Sequence, residues 1–409
     1  MSLAPGRPAS LSQARQPAGI AVAGSQSRSG LRLVADDLTG ALDTAVEFVA
    51  ALGPVQVAWG QVPADIGDTL GFDVATREGN ETDARDRVAG IAAATGFSAS
   101  ACAYLKLDSL LRGHAGAEIA TLWSAGGFDA AVIAPAFPYQ GRITAGGRQR
   151  VTTRAMREPV GEDLVASLNA LGLPVRRRRP GTSVSSGIAI WDASSDEDLD
   201  VIVDAALKAE AAGRRILWCG SGGLAGALAR RRFGTAAPDA FSPAGPILGL
   251  FGTDHPVTHD QLMQAGDAAI RLVDGSPMSA EHVREQLGTV GAALVAFDLA
   301  PMSRRQAQRR IAAEMAALTG RLDPPATLVC GGGETLRGLA DALGATALDV
   351  VGRIVPGVPV ARLRGGRWDG VPIISKSGAF GDPDFLKRLV APSLRSTSGA
   401  LPPYAEGHD

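Results

Sequence analysis

Along the chain, two kinds of hydrophobic pattern alternate. Short apolar runs, typical of buried strands, are followed by stretches whose apolar residues recur at helical spacing. The apolar runs predict strands at residues 31–35, 55–59, 72–78, 101–107, 129–135, 187–191, 215–219, 247–251, 271–273, 293–297, 327–330, 358–363 and 371–375. The helical stretches predict helices at residues 40–52, 82–94, 115–123, 160–171, 196–211, 220–231 and 336–343, and one beginning near His259. Strands that alternate with helices predict the α/β class with largely parallel sheets.

One segment interrupts this alternation. Residues 234–246 contain three prolines, two glycines and few residues that could pack, which is typical of a linker. The sequence therefore predicts two α/β domains with a ligand cleft between them. The predicted limits are a disordered tail at 1–30, a first domain at 31–233, the linker at 234–246, a second domain at 247–395 and a C-terminal tail at 396–409.

Composition narrows the classes of function. The chain is 45% hydrophobic and 20% charged with a formal net charge of -2, which argues against a nucleic-acid or acidic-membrane partner. No apolar run approaches the roughly 18 residues needed to span a bilayer. The three cysteines lie far apart in apolar runs, which argues against a disulfide framework and predicts a reducing, cytoplasmic location.

Charged side chains follow several predicted strands of the first domain. Asp36 and Asp37 come directly after the first strand, and Thr39 is placed to cap the next helix. Ligands bind at the carboxyl ends of strands in open α/β sheets, where an acid pair can recognise hydroxyls, abstract a proton or hold a hard cation. The alternative is that the two acids only form a turn and a cap. Further polar candidates at strand ends are Arg77, Lys106, Asp108, Ser109, Arg112 and Arg142.

Glycine-rich turns stand at later strand ends. The turn at 331–335 lets the backbone approach phosphate oxygens at a helix N-terminus, and the alternative is a tight capped turn. The turn at 220–226 resembles a dinucleotide fingerprint, for which the alternative is close packing of a helix on the sheet. Residues 376–378 place a cation beside a glycine, which suits a phosphate. His255 and His259 have the spacing of helical metal ligands, but no third ligand accompanies them.

Eight short motifs, taken together, resemble those of the four-carbon acid sugar kinase family. In the first domain they are Ala-Asp-Asp-Leu-Thr-Gly-Ala at 35–41, Thr-Arg at 76–77, Lys-Leu-Asp-Ser-Leu-Leu-Arg-Gly at 106–113 and Ala-Pro-Ala-Phe-Pro-Tyr-Gln-Gly-Arg at 134–142. In the second domain they are Gly-Thr at 252–253 with Val-Thr at 257–258, Gly-Gly-Glu-Thr at 332–335, Pro-Gly-Val-Pro at 356–359 and Lys-Ser-Gly at 376–378. They occur in the family's order and extend over nearly the whole chain.

The resemblance implies an ATP-dependent kinase that phosphorylates the terminal hydroxyl of threonate, erythronate or a 3-oxo-tetronate. An N-terminal domain binds the sugar acid and a C-terminal domain binds ATP, with Mg2+ implied by the polyphosphate. The catalytic candidates are Asp36, Asp37, Lys106 and Arg112, with Asp37 as the base. The substrate-binding candidates are Arg77, Asp108, Ser109 and Arg142. The ATP-binding candidates are Thr253, Gly332, Gly333, Glu334, Thr335, Lys376 and Gly378. The expected partners are the sugar acid and ATP, and homo-oligomerisation is left open.

Two positions depart from the family pattern. Arg353 stands where members often carry an acid, which predicts either an altered charge on the nucleotide side or no effect. Thr253 replaces the more usual serine and keeps its hydroxyl. Two other functions stay open from the sequence. They are an NAD(P)-dependent oxidoreductase that uses the turn at 220–226, and a non-catalytic sensor of sugar acids.

Overall fold

The structure, a computed structural model, describes residues 30–152, 159–234 and 241–394. The predicted tails, apart from Gly30, and residues 235–240 of the predicted linker lie outside these ranges. The strands are β1 (Leu31–Ala35), β2 (Val55–Trp59), β3 (Thr69–Asp73), β4 (Cys102–Lys106), β5 (Ala130–Ala134), β6 (Arg142–Ala145), β7 (Arg148–Val151), β8 (Val175–Arg178), β9 (Gly187–Trp191), β10 (Ile216–Gly220), β11 (Ile247–Phe251), β12 (Ala269–Leu272), β13 (Ala292–Phe297), β14 (Thr327–Gly331), β15 (Ala347–Arg353), β16 (Pro359–Arg364) and β17 (Pro372–Lys376). The helices are α1 (Leu38–Ala45), α2 (Val49–Leu52), α3 (Glu81–Thr95), α4 (Ala115–Ser124), α5 (Leu164–Ala170), α6 (Asp196–Ala211), α7 (Gly222–Phe233), α8 (Pro256–Gln264), α9 (Pro277–Thr289), α10 (Arg304–Thr319), α11 (Gly333–Leu343) and α12 (Phe385–Leu394).

One sheet of 15 strands runs through both predicted domains, in the order β12-β13-β11-β14-β17-β16-β15-β2-β3-β1-β4-β10-β5-β9-β8. The predicted α/β class and largely parallel pairing are confirmed. Among the described strands of this sheet, three neighbouring pairs are antiparallel: β2 with β15, β15 with β16, and β16 with β17. The pair β2–β15 joins the two halves into a continuous sheet, which the sequence analysis did not predict. The limits of the two domains remain predictions.

Helices cover both faces of the sheet. On one face, α1, α6, α7, α9, α10 and α11 share a single apolar core that extends across both halves. On the other face, α3, α4 and α5 pack on the N-terminal half, while α8 and α12 pack on the C-terminal half. Since the first core includes both Leu38 of α1 and Leu336 of α11, the two halves pack together near these helix starts.

Several predicted element limits were wrong. The strand expected at 72–78 ends at Asp73, since residues after it turn back towards β1, and Ala75 takes a positive φ of 53°. The helix expected from His259 begins at Pro256 with His255 as its cap. The predicted helix at 160–171 covers only Leu164–Ala170. The sequence analysis also missed the hairpin of β6 and β7, β8, β15, and the bounds of α9, α10 and α12.

The sheet has two places where the chain order reverses, and both lie at predicted sites. In the N-terminal half, the chain moves from β1 to β2 and β3 on one side, and then to β4 on the other side of β1. In the C-terminal half it moves from β11 to β12 and β13, and then to β14 on the opposite side. Ligands bind at such switch points, outside the carboxyl ends of the strands.

Strand direction also reverses between the two halves. Because three pairs between them (β2–β15, β15–β16 and β16–β17) are antiparallel and the other pairs are parallel, β14 runs opposite to β1. Sheets twist by about 20° to 25° per strand, so the six steps from β14 to β1 rotate the strand axis by roughly 120° to 150°. The twist therefore offsets most of the reversal, and the carboxyl ends of β1 and β14 face the same region.

Candidate active site

The acid pair is held by an arginine from the neighbouring strand end. Arg77 donates two hydrogen bonds to Asp36, from Nε and Nη2, each at 2.7 Å, and a third from Nη1 to Asp37 at 2.5 Å. The backbone brings them together, since the amide N–H groups of Thr76 and Arg77 donate to the Asp36 carbonyl at 3.1 and 3.3 Å. Burial raises the pKa of Asp36 and the contact with Arg77 opposes that rise. Arg77 therefore fixes the geometry of both acids.

The first helix is capped by Asp37 and not by Thr39. Asp37 has an extended backbone, and its Oδ1 accepts from the Gly40 amide at 2.9 Å. The reason for this difference is positional, because the N-cap residue must precede the first helical residue, here Leu38. Both carboxylate oxygens of Asp37 are thus engaged, one by its helix and one by Arg77.

The turn after β4 contributes a second ion pair. Arg112 donates from Nε and Nη2 to the two carboxylate oxygens of Asp108, at 2.7 and 2.9 Å. Arg77 lies 3.7 Å from the same carboxylate. Burial alone would raise the pKa of Asp108, but the hydrogen bonds from Arg112 and the charges of Arg77 and Lys106 hold it well below its usual range. Asp108 is therefore an ionised member of the site.

Lys106 is a buried cation of this cluster that makes no direct ion pair with a described residue. Its side chain is only 4% exposed, yet no described residue forms an ion pair or hydrogen bond with its ammonium group. A Cβ built on Gly40 would lie 2.9 Å from Lys106 Nζ and 2.5 Å from Asp37 Oδ1, so Gly40 leaves room for both groups. The nearby charges of Asp36, Asp43 and Asp108 stabilise this ammonium group, but its N–H donors have no acceptor among the described residues, and an anionic ligand would supply one.

Arg142 reaches the same cluster from the start of β6. Its Nη1 donates to Ser109 Oγ at 2.7 Å and also contacts Gln140 Oε1. The buried Gln149 of β7 holds the Ser109 carbonyl at 2.8 Å. All eight predicted residues of the first domain thus lie in one cluster at the β1–β4 switch point, and their roles stay predictions.

The predicted nucleotide turn combines close backbone approach with threonine hydroxyls. Gly332 requires glycine because its φ is 103°, and α11 has no side-chain cap, so its first-turn N–H groups lack intrahelical partners. A Cβ built on Gly252 would lie 2.4 Å from Thr335 Oγ1, and one built on Gly378 would lie 2.4 Å from Thr253 Oγ1. The turns after β11, β14 and β17 therefore converge, as a phosphate-binding site requires.

Lys376 and Glu334, both predicted to bind ATP, make other contacts in this structure. Lys376 is fully buried, and its Nζ donates to Thr258 Oγ1 at 3.0 Å and to the Ser377 carbonyl at 3.1 Å. Burial lowers the pKa of Lys376 to about 8. Glu334 is exposed and contacts Gln308. In this structure the ammonium group of Lys376 holds Thr258 and the Ser377 carbonyl, and the Glu334 side chain extends towards Gln308 of α10.

The two switch points touch each other. A Cβ built on Gly333 would lie 2.6 Å from Thr39 Oγ1 and 3.4 Å from Asp37 Oδ2. The α11 helix is also attached to the N-terminal half farther along, where Arg337 Nη1 lies 3.3 Å from Asp73 Oδ2 and Trp59 donates to Asp341 at 2.8 Å. The first turn of α11 is thus fixed directly against the acid pair.

The sequence analysis missed three acids near the site, of which Glu118 and Asp73 are buried and Asp43 is half-buried. Burial raises the pKa of Glu118 to about 7 and that of Asp73 to about 6, and Glu118 accepts from Thr76 Oγ1 at 2.6 Å. Burial also raises the pKa of Asp43, whose Oδ1 is buried without a hydrogen-bond partner in the described chain. Asp43 follows Gly40 by three positions in α1, and this helical spacing was the signal that could have identified it.

Arg353 pairs with an acid of the N-terminal half. Its Nη1 donates to Glu47 Oε1 at 2.7 Å, which links the end of β15 to the segment after α1. Both side chains are largely buried, and burial raises the pKa of Glu47 to about 7. At this departure from the family pattern, Arg353 forms an ion pair between the two halves, and the two alternatives for its effect, an altered charge on the nucleotide side or none, stay predictions.

The turn at 220–226 is used for packing. A Cβ built on Gly220 or Gly223 would lie 2.7 Å from the carbonyl oxygens of Ala134 and Ala136, respectively. This chain's own Asp43 carboxylate lies against Gly222, 3.0 Å from a Cβ built there. The geometry favours the packing interpretation of this turn over a dinucleotide site.

The structure gives no histidine metal site at the predicted spacing. His255 Nδ1 accepts from the Val257 amide at 3.2 Å, and His259 Nδ1 lies 3.0 Å from Arg271. Within residues 30–152, 159–234 and 241–394, no group of three or more His, Cys, Asp or Glu could hold a metal ion. Over the same ranges, no helix has both the length and the apolar character needed to cross a membrane.

Family models match both halves of the chain. A model described as a sugar-binding N-terminal domain matches residues 31–170 and 165–228. A model described as a nucleotide-binding C-terminal domain matches residues 290–386. These matches fall on the two switch points that meet at Thr39 and Gly333.

Known proteins extend the similarity to the full length. A D-threonate kinase of Bordetella bronchiseptica is 30% identical over 398 residues, covering 87% of this chain and 95% of that protein. A D-erythronate kinase of Heliobacterium modesticaldum is 26% identical over 422 residues, covering 87% and 95%. A solved structure from Salmonella typhimurium, 20% identical, matches with a TM-score of 0.67 over 89% of this chain and 99% of that one, which supports the fold. The chain therefore belongs to the four-carbon acid sugar kinase family.

Proposed function

We propose that this protein transfers the γ-phosphoryl group of ATP to the terminal hydroxyl of a four-carbon sugar acid. The observation that carries the proposal is the contact between the two switch points, where Thr39 and Asp37 lie against Gly333. A phosphoryl group bound at the α11 turn is then within reach of an acceptor bound beside the acids. Kinases need such alignment and charge neutralisation more than covalent chemistry.

The proposed site for the sugar acid contains both cations and carboxylates. Lys106 and Arg142 are the proposed contacts of the substrate carboxylate, because among the described residues Lys106 forms no direct ion pair or hydrogen bond and Arg142 is hydrogen-bonded only to uncharged groups. Asp37 is the proposed base for the acceptor hydroxyl. Arg77 and Arg112 are already committed to Asp36, Asp37 and Asp108, so their proposed role is to hold these acids in place.

The proposed nucleotide site binds the polyphosphate mainly through backbone N–H groups. The free N–H groups at the start of α11 are proposed to hold the polyphosphate, with the Thr253 and Thr335 hydroxyls beside it. The residues fit a magnesium ion that enters on the nucleotide, because Mg2+ usually takes one or two protein carboxylates together with substrate phosphates. Glu334 follows Gly333 in the first turn of α11 and would be such a carboxylate. The ion supplies neutralisation of phosphate charge.

An ADP-release screen tests the proposal. Threonate, erythronate and 3-oxo-tetronate isomers are offered with ATP and Mg2+, and release of ADP with at least one acid is expected. Asp37→Asn should lower kcat by about 10²- to 10⁴-fold while ATP still binds, because the acceptor hydroxyl loses its base. Asp86→Asn, an exposed acid on α3, serves as the control. No ADP release with any isomer contradicts the proposal, and near-normal turnover by Asp37→Asn removes Asp37 as the base.

A further inference from the structure

The hydroxyl of Thr39 occupies an unusual position in the structure. Its Oγ1 is buried and has no hydrogen-bond partner among the described residues. Buried hydroxyls are nearly always hydrogen-bonded, so a bare one marks either strain or a missing ligand. Thr39 is the second residue of α1, and the capping position that could have used its hydroxyl is taken by Asp37.

The surroundings of this hydroxyl identify the chemistry of the missing ligand. Oγ1 lies 2.6 Å from the place where Gly333 would carry a Cβ, at the first residue of α11. Gly333 is a helical residue without a positive φ, so its backbone does not require glycine. What excludes a side chain there is the approach of Thr39. The first turns of two helices therefore meet at this hydroxyl.

Two helix starts that face one region favour a negative charge between them. Each first turn carries N–H groups without intrahelical partners, and each helix dipole is positive at this end. The α11 turn has no side-chain cap of its own. Lys106 adds a buried ammonium group close to Asp37 and Gly40. The missing ligand of Thr39 is thus an anion that lies between the acceptor and nucleotide sides.

We propose that Thr39 is a catalytic residue whose hydroxyl donates a hydrogen bond to the phosphoryl group during its transfer. This inference rests on the proposed kinase function and adds a residue from the acceptor side that contacts the moving group. The acceptor oxygen forms the new bond to phosphorus as the bond from phosphorus to the β–γ bridging oxygen breaks. The acceptor proton passes to Asp37 and ADP leaves. Thr39 keeps its own proton and forms no covalent bond.

The geometry also requires a small separation of the two turns. In this structure Gly333 shields Oγ1 of Thr39, so the phosphoryl group replaces Gly333 as the neighbour of that hydroxyl. The hydrogen bond then forms in the transition state and is absent without ligand. Interactions made only in the transition state affect kcat and leave ground-state binding unchanged.

Three variants test the role of Thr39. Thr39→Val keeps the shape and removes the hydroxyl, Thr39→Ser keeps the hydroxyl, and Thr44→Val is the matched control. Thr44 lies in the same helix and also has a buried hydroxyl without a hydrogen-bond partner in the described residues. The measurements are kcat, KM for the acid and for ATP, melting temperature, and inhibition by ADP with aluminium fluoride in the presence of the acid.

Thr39→Val should lower kcat by about 100-fold, the typical loss for one donor to a developing charge, with both KM values nearly unchanged. It should also weaken inhibition by ADP with aluminium fluoride to a similar extent. Its melting temperature should equal or exceed that of the wild type, because an unsatisfied buried hydroxyl has been removed. Thr39→Ser and Thr44→Val should both retain kcat within a few-fold of the wild type.

The outcomes separate this inference from the function on which it rests. A wild-type protein that releases no ADP with any acid overturns the kinase function, and the role of Thr39 with it. An active wild type with a Thr39→Val variant of similar kcat overturns the role of Thr39 alone. A Thr39→Ser variant as slow as Thr39→Val, or the same loss in Thr44→Val, also overturns it, because either result indicates packing instead of a hydrogen bond.

Discussion

The two switch points that meet in this protein are built from different chemistry. On the acceptor side, the turns after β1, β3 and β4 carry three acids and three cations; three of these six residues are buried, and all but Lys106 are joined by short hydrogen bonds or ion pairs. On the nucleotide side, the turns after β11, β14 and β17 carry glycines and threonine hydroxyls, and their one buried cation, Lys376, points into hydroxyl and carbonyl oxygens.

The difference corresponds to what each side must recognise. A small acid with several hydroxyls offers few atoms, so discrimination requires side chains of defined charge and fixed position. A polyphosphate offers many equivalent oxygens, which backbone N–H groups at a helix start can bind without sequence-specific side chains. The acceptor side therefore depends on buried charges that stabilise one another. The nucleotide side depends on the absence of side chains where two turns approach closely.

The largest effect is expected from removing the arginine that holds the acceptor acids. Arg77→Ala leaves Asp36 buried without its partner, and breaking such a pair costs about 3–5 kcal/mol of the free energy of unfolding. Denaturant unfolding measures this loss. Arg85→Ala, which breaks the exposed pair with Glu81 on α3, should cost less than about 1 kcal/mol. A raised KM for the acid with unchanged stability would instead place Arg77 on the substrate.

A smaller effect is expected from adding one methyl group to the nucleotide side. Gly333→Ala places a Cβ 2.6 Å from Thr39 Oγ1, which pushes the two turns apart and should lower kcat by about 100-fold. Gly338→Ala in the same helix is the matched control, since its Cβ would meet its nearest neighbour at an ordinary 3.5 Å. The control should retain activity and gain up to about 1 kcal/mol of stability from helix propensity. Equal activity of the two variants would contradict the close contact.

The smallest effect concerns the pH dependence of stability. Burial raises the pKa of Glu118 to about 7 from its usual value of 4.5. The folded chain therefore keeps a proton that the unfolded chain loses, so the stability from this group is complete below pH 4.5 and is lost as the pH rises through 7. Glu118→Gln keeps the acceptor for Thr76 and removes the titration.

Unfolding free energies at pH 5 and pH 7.5 check this expectation. Glu118 contributes to the fall of the free energy of unfolding from pH 5 to pH 7.5. In Glu118→Gln this fall should be smaller by about 2 kcal/mol. Glu285→Gln, an exposed position on α9, should leave the fall as it is in the wild type. If both variants retain the full pH dependence, Glu118 does not carry the proton.

Much of the local structure could be predicted from the sequence. Short apolar runs gave most strands and period-3.6 patterns gave most helices, because buried strands and amphipathic helices differ in the spacing of their apolar residues. The patterns failed at β15, where polar residues such as Asp349 lie among apolar ones and the following strands are antiparallel. They also misplaced the cap of α1, because Asp37 and Thr39 are both acceptable capping residues and only the backbone conformation selects one.

The sequence by itself determined which residues stand at the strand ends, and with them the chemical character of each side of the site. Only the tertiary structure decided how the two sides meet. Arg77 and Asp36 are 41 positions apart, and Thr39 and Gly333 are nearly 300 apart. Their contacts depend on the pairing of β2 with β15 and on the twist accumulated across the sheet. Neither the β2–β15 pairing nor the accumulated twist produces a periodic pattern in the sequence, because both depend on many strand pairings together.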